Sequence, residues 1–193
     1  MQHKDHAGEL GELARTVLEL DEVFPADPGI LAALLMNRVV LQPGEAVFVP
    51  AGHMHAHLRG TGIEVMANSD NVIRGGLTPK HVDVSELIKV VDFSSGDPEV
   101  TRPERIADGV DRYPTPCPEF DVWRVSPSGD AVVSLPGAGS ARILLVTAGS
   151  AELTADGESL HLSRGESAFL AAGDLTVTLS GDALGFVAAS GLR

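Results

Sequence analysis

The 193-residue chain predicts a mainly β protein: two copies of one β-unit, the first partial and led by a short N-terminal helix, the second complete. Three observations carry this expectation. Apolar runs of strand length recur along most of the chain with Gly and Pro turns between them. Helical periodicity is confined to brief stretches. The segment LQPGEAVFVPAGHMHAHLRG (41–60) aligns without a gap on LSRGESAFLAAGDLTVTLSG (162–181), matching Leu41/Leu162, Gly44/Gly165, Glu45/Glu166, Phe48/Phe169, Ala51/Ala172, Gly52/Gly173, Leu58/Leu179 and Gly60/Gly181.

Residues 1–36 form a helical segment. Leu10, Leu13, Ala14, Val17 and Leu18 follow the i, i+3, i+4, i+7 spacing of an amphipathic helix that stops before Pro25. The apolar stretch 30–36 reads as a buried helical turn. Strands are then expected near 38–41, 46–49, 54–58 and 62–67, with Pro43-Gly44 and Ala51-Gly52 as turns. A brief helix follows at 85–91, with Val84, Leu87, Ile88 and Val91 on one side. Residues 94–119 carry Pro98, Pro103, Pro114, Pro116 and Pro118 with little periodicity and read as a crossing linker. Strand-like runs at 122–125, 131–135, 142–147, 151–155, 159–162, 167–170, 175–179 and 184–188 build the second unit, 120–193.

Composition narrows the function classes. A formal charge of −13 and a pI near 4.8 repel phosphate backbones and anionic lipid, so neither nucleic acid nor a membrane surface is an expected partner. A small anionic substrate would need locally placed cations. Cys117 is the single cysteine, the start MQHKDHAGEL has no apolar signal core, and no apolar run approaches the roughly 20 residues of a membrane span. A cytoplasmic setting is the expectation.

The pattern G-E-x-x-F-x-x-A-G shared by the two copies resembles the second half of a cupin jelly roll. The copies differ where chemistry is possible: His55, His57 and Glu64 in the first stand opposite Thr176, Thr178 and Gly185 in the second. The candidate site therefore lies in the first copy, and the second cupin is expected to be metal-free. His55 and His57 are two apart on an expected strand, so both face one side, which in a small barrel can be the interior; His53 shares that face if the strand begins early. Two imidazoles suit zinc or a similar divalent ion, although H-x-H is a weak pattern and a satisfied core histidine with rim neighbours is the alternative. Glu64, within Ile63-Glu64-Val65-Met66, faces either solvent by alternation or the cavity, where loss of water would make it a stronger base.

The run Ser69-Asp70-Asn71-Val72-Ile73-Arg74-Gly75-Gly76-Leu77-Thr78-Pro79-Lys80 is the most specific element. Together with P-x-G-E-A-x-F-x-P-A-G-x-x-H-A upstream and E-V-M-A-N between, it resembles the signature of type I mannose-6-phosphate isomerases, zinc-dependent cupin enzymes, in their C-terminal half. The likeness is unbroken over 35–83 and looser on both flanks.

The resemblance implies a partial catalytic cupin at 37–93, a linker at 94–119 and a C-terminal cupin at 120–193. It implies aldose–ketose isomerisation of mannose 6-phosphate and fructose 6-phosphate. It places His55 as a zinc ligand, Glu64, Asp70, Arg74 and Lys80 as catalytic residues, and His57 and Lys80 as substrate-binding residues. His57 stands where the family has tyrosine; imidazole can still donate a hydrogen bond. The chemistry fits these residue types: a base moves a proton next to a carbonyl, a cation steadies the enediolate, and a second cation holds phosphate. The family's other zinc ligands, a Gln-x-His pair and a glutamate, belong to its N-terminal half, and this chain has no Q-x-H-P element. Its zinc ligand set is thus expected to be incomplete, with activity of the isolated chain depending on a missing N-terminal half or on a homodimer. The alternative function is a non-catalytic cupin module that binds a sugar phosphate or assembles with a partner.

Overall fold

The computed structural model describes residues 8–69 and 72–191. Two units alternate along the chain: Met1–Val40, Val49–Ile63 and Ser69–Pro98 make one, and Leu41–Phe48, Glu64–Asn68 and Glu99–Arg193 the other.

In the first unit, α1 (Glu9–Val23) matches the amphipathic period and buries Thr16 and Leu20. The Thr16 hydroxyl donates to Glu12 O at 3.0 Å and accepts from Arg38 at 2.9 Å, tying the segment after the helices back to α1. The helix ends at the Phe24-Pro25 step, as the steric restriction before proline requires. Helix α2 (Gly29–Ala33) is shorter than the apolar run that suggested it and buries Gly29 and Ile30. Helix α3 (Val84–Val90) is capped by Asp83, whose carboxylate accepts Glu86 N at 3.0 Å. Its expected apolar side is packed only in part: Leu87 and Val91 are half-buried, while Val84 and Ile88 are exposed. No helix among the described residues is long and apolar enough to cross a membrane.

Of the four strands expected between 38 and 67, only β1 (Ala46–Val47) pairs, with β2 (Val100–Thr101). The other runs lie outside any ladder, and Val40, Leu58, Ile63 and Met66 are exposed. Residue pattern alone does not make a strand; its N–H and C=O groups need a neighbour, and among the described residues these runs have none.

The second unit holds the core. Strands β3 (Glu104–Ala107), β4 (Val110–Tyr113), β5 (Phe120–Val125), β6 (Val133–Ser134), β7 (Arg142–Ala155), β8 (Glu158–Ser163), β9 (Ser167–Leu170) and β10 (Val177–Ser190) form one antiparallel sheet. Its order is β3-β4-β5-β10-β7-β8, with β6 added to β10 and β9 to β7. Residues 94–119, expected as a linker, thus contain β2, β3 and β4. The β3–β4 hairpin turns at Asp108-Gly109, a recognised hairpin dipeptide, and Ala107 pairs with Val110. All four β3 residues are exposed, which suits a charged edge strand.

Strands β7 and β10 each join two runs that the sequence separates. Leu184 pairs with Ala148 and Gly185 with Val146, so Thr147 is the extra residue of a β-bulge. Its hydroxyl donates to Leu184 O at 3.1 Å. The bulge shifts the phase of β7: its buried residues are Leu144 and Val146 before it, Ala151 and Leu153 after it. Strand β10 keeps one phase through Val177, Leu179, Val187 and Ala189. These side chains close a core with Val110, Trp123, Val125, Val133, Leu162 and Leu170. Gly149 (φ 67) allows the bend, because a Cβ there would stand 1.9 Å from Asp182 O.

Two polar groups reinforce this unit. Arg142, 1% exposed, donates to Pro136 O at 3.2 Å and to Asp174 O, joining two loops to the start of β7. Asp111, also buried, accepts from Arg105 at 2.5 Å and from Arg124 at 2.7 Å. Burial pushes the Asp111 carboxyl up, but the hydrogen bonds from Arg105 and Arg124 outweigh it and hold the group below its ordinary 3.8.

The internal repeat is visible atom by atom. Glu45 N donates to Gln42 O and its carboxylate accepts Gln42 N; Glu166 and Ser163 make the same two bonds, with Gly44 at φ 87 and Gly165 at φ 89. The first-copy turn belongs to the second unit, where Tyr113 donates to Gly44 O at 3.1 Å and Arg102 pairs with Glu45 at 2.7 Å.

Two measurements check this description. Gly149→Ala is expected to cost about 3 kcal/mol or more in urea unfolding, because strain and a backbone clash coincide, whereas Gly165→Ala, with open space at its Cβ, should cost only about 1 kcal/mol. Asp111→Ala is expected to cost about 2 kcal/mol at pH 7 by removing the buried carboxylate's bonds to Arg105 and Arg124, whose own side chains stay partly in water. A depressed carboxyl stabilises above its unfolded value and loses that contribution as pH falls through the folded one, so the gap between wild type and variant should close below about pH 4.

Candidate functional site

The histidine segment is positioned by a turn and by α3. His53 N donates to Pro50 O at 3.3 Å, Gly52 adopts φ 85, and Asp92 N donates to Gly52 O at 3.0 Å just beyond the helix. A Cβ on Gly52 would stand 2.9 Å from Val90 O, so glycine allows the turn to rest on the helix end. Hydrogen bonds from the Ser94 amide and hydroxyl hold the Asp92 carboxyl below its ordinary range.

His55 Nδ1 lies 3.3 Å from His53 O. A carbonyl only accepts, so in this contact Nδ1 is the donor, and the tautomer that the contact favours leaves Nε2 as the nitrogen able to bind a metal. The His55 and His57 rings are 5.9 Å apart at 65°. Both residues are exposed on extended chain outside any ladder, not facing a barrel interior as expected, because no paired strands enclose them among the described residues. In the second copy the positions aligned with them, Thr176 and Thr178, alternate out of phase with the buried Val177 and Leu179. Gly185, aligned with Glu64, faces inward: a Cβ there would stand 3.1 Å from Leu144 and 3.3 Å from Val125.

The loop at 72–80 packs on this segment and on α2. Met54 fills the space at Gly75, where a Cβ would stand 2.5 Å from its terminal methyl. Gly76 lies against Gly29, with a Cβ on the former 2.7 Å from the Cα of the latter. Asp27 accepts Gly29 N at 2.7 Å, and its Oδ1 lies close to the loop, 3.1 Å from where a Cβ on Gly76 would stand. These contacts place Arg74 and Lys80 on an anchored loop, and both side chains are exposed and form no ion pair among the described residues.

His55, His57, Arg74 and Lys80 all belong to the first unit. Glu64 is exposed and belongs to the second unit, and Asp70 lies outside the described residues. Among the described residues no group of three or more His, Cys, Asp or Glu side chains could hold a metal ion. Sequence reasoning missed Asp27 and Met54. The signal for Asp27 was present in Ala26-Asp27-Pro28-Gly29, where an Asp before Pro-Gly favours a side-chain-capped turn. A separate cleft of about 260 Å³ in the second unit is lined by Gln42, Gly44, Glu45, Arg102 and Arg124, but both arginines there are paired with carboxylates.

Comparison with known proteins follows this geometry. A family described as "Mannose-6-phosphate isomerase, cupin domain" matches residues 111–188. The chain is 39% identical over 173 residues to mannose-6-phosphate isomerase of Escherichia coli (strain K12), covering 89% of this chain and 44% of that protein. It is 35% identical over 175 residues to mannose-6-phosphate isomerase 2 of Arabidopsis thaliana, covering 90% and 39%. Among solved structures, mannose 6-phosphate isomerase from Salmonella typhimurium bound to its substrate and a zinc atom superposes with a TM-score of 0.76 at 32% identity, covering 96% of this chain and 51% of that one. Histidine-to-alanine and arginine-to-alanine forms of the same enzyme both superpose with TM-scores of 0.78. The chain spans less than half the length of these curated relatives.

Proposed function

The chain belongs to the mannose-6-phosphate isomerase family, whose C-terminal half it matches, and from that premise we propose that it carries the substrate loop of an enzyme interconverting mannose 6-phosphate and fructose 6-phosphate. The anchored 74–80 loop beside His55 carries this reading: it offers to an anionic sugar two cations that form no ion pair among the described residues, in a chain whose net charge is −13. The histidine and arginine replaced by alanine in the Salmonella structures are separated by the same number of residues as His55 and Arg74, which supports aligning the two pairs.

In this reading Lys80 takes the phosphate, and Arg74 stabilises the negative oxygen that develops when the proton next to the carbonyl is removed. Glu64 is the base, removing that proton from one carbon and returning it to its neighbour. Asp70 is the second acidic candidate, and His57 hydrogen-bonds a sugar hydroxyl. His55 fits a single zinc ligand position through its free Nε2. A catalytic zinc needs about three protein donors, and the described residues do not assemble them, so no step is assigned to the metal. The remaining donors would come from a region equivalent to the family's N-terminal half or from a second copy of the chain. The same region would supply ladder neighbours for the runs between 38 and 67. For domains, the reading takes 37–93 as part of the catalytic cupin, 94–119 as the crossing between domains and 120–193 as the second cupin.

The test is a coupled isomerase assay with added zinc, run on the chain alone, on the chain mixed with the N-terminal half of the Escherichia coli relative, and on His55→Ala and Arg74→Ala mixtures. Activity is expected only in the wild-type mixture, with Arg74→Ala lowering it by about 100-fold. Fructose 6-phosphate binding without turnover in any mixture would favour the non-catalytic cupin module instead. Full, His55-dependent turnover by the chain alone would refute the incomplete ligand set.

A further inference from the structure

We propose that Met54 is a positioning residue of the candidate site: its terminal methyl seats in the notch at Gly75 and so fixes the separation of His55, which follows it on one segment, from Arg74, which precedes Gly75 on the other. The identity of the ligand rests on the functional reading above; the packing contact does not.

The two segments are anchored on different helices. The histidine segment rests on the end of α3, through the bond from Asp92 N to Gly52 O and the close approach of Gly52 to Val90 O. The loop rests on the start of α2, where Gly76 lies against Gly29. Pieces held by different helices keep a fixed spacing only if something joins them near the functional side chains. Met54 does so. It is half-buried between the exposed His53 and His55, and its side chain reaches across to the loop. A Cβ on Gly75 would stand 2.5 Å from Met54 Cε, 3.7 Å from its Sδ and 3.8 Å from Leu87 Cδ2. The notch is therefore bounded by the thioether and by a half-buried leucine of α3.

The pair suits this use. Gly75 is not left-handed, unlike Gly76 at φ 131, so its backbone does not call for glycine; the space does. Methionine is unbranched and its thioether is soft, which lets it fill an irregular gap. Neither side chain offers a charge to an anionic sugar, so an effect on binding passes through the residues beside them. His55 and Arg74 are each one residue from the contact, and misplacement of binding groups by about 1 Å is enough to cost affinity or rate.

Nuclear magnetic resonance of methyl-labelled methionine, together with calorimetric titration of fructose 6-phosphate, tests this on wild type, Met54→Ala, Gly75→Ala, their double variant and Met54→Leu/Gly75→Ala. An Overhauser contact between the Met54 methyl and the Gly75 α-protons is expected in the wild type. Met54→Ala and Gly75→Ala should each weaken binding about tenfold, the first by emptying the notch and the second by overfilling it, with the α1 and α3 resonances unchanged. Their double variant should bind no worse than either alone, since the added methyl enters the vacated space. Met54→Leu/Gly75→Ala shortens one partner as it extends the other; it should bind within about threefold of wild type, and it decides the matter if Met54→Ala does not fold. A missing Overhauser contact overturns the packing. Multiplying losses in the double variant, no rescue by Met54→Leu/Gly75→Ala, or loss of the α1 and α3 signals along with affinity overturns the positioning role and leaves the functional reading standing. A wild-type chain that shows the contact yet binds no fructose 6-phosphate refutes that reading and the substrate half of this inference together.

Discussion

The antiparallel ladder between β7 and β10 is the constraint from which the second unit is built. The two strands are each 14 residues long and stay paired from Val177 opposite Ala155 to Ala189 opposite Arg142. Every other strand from β3 to β9 attaches to one of them directly or through a neighbour. A ladder of that length serves both ends of a jelly roll only if it bends, and Thr147 and Gly149 supply the bend. One extra residue changes which side chains of β7 enter the core, and the partner strand does not have to compensate. A hydroxyl at the bulge satisfies a carbonyl opposite it, so the irregularity leaves that group paired.

The first unit is held by different means. Its ladder pairing is nearly absent among the described residues, and its positions are fixed by point contacts: Asp92 on Gly52, Met54 on Gly75, Gly29 on Gly76 and Asp27 on the Gly29 amide. Such contacts define where a main chain passes without burying much apolar surface. Loops of this kind can present polar side chains to a ligand because their backbone is restrained while their side chains stay in water. Exposed apolar positions at Val40, Leu58 and Ile63 accompany that arrangement.

Much of the architecture was legible in the residues. All eight strand-like runs after 120 overlap strands, because period-two alternation there coincides with real neighbours. That Arg142–Ala155 and Val177–Ser190 are continuous was not legible, since glycines at 149 and 181 read equally well as turns or bends. Strands β3 and β4 were hidden by prolines and charges, which on an edge are protective features and in a linker are ordinary composition. Asp108-Gly109 was the overlooked clue. At the candidate site, the sequence named His55, His57, Arg74 and Lys80, because unusual residue types mark chemistry. It passed over Asp27, whose contribution lies in the backbone it meets, at the Gly29 amide and beside Gly76 far along the chain. Which way the face shared by His55 and His57 points was not legible, because alternation specifies a face only once a sheet exists to have one, and among the described residues that segment pairs with none.

The turn at Gln42–Glu45 carries a consequence for modularity. By descent it belongs with the first copy, since it repeats the hydrogen bonds made by Ser163 and Glu166. By contact it belongs to the second unit, as the acceptor for Tyr113 and the partner of Arg102. The boundary of the duplication and the boundary of cooperative folding have therefore drifted apart. Recombination between the copies would not exchange a clean module: a graft starting at Glu99 would arrive with the phenol of Tyr113 and the guanidinium of Arg102 lacking their mates. Transplanting the second unit into another protein would require carrying residues 41–48 as a separate strand in trans, an inheritance that ties the two copies to one polypeptide.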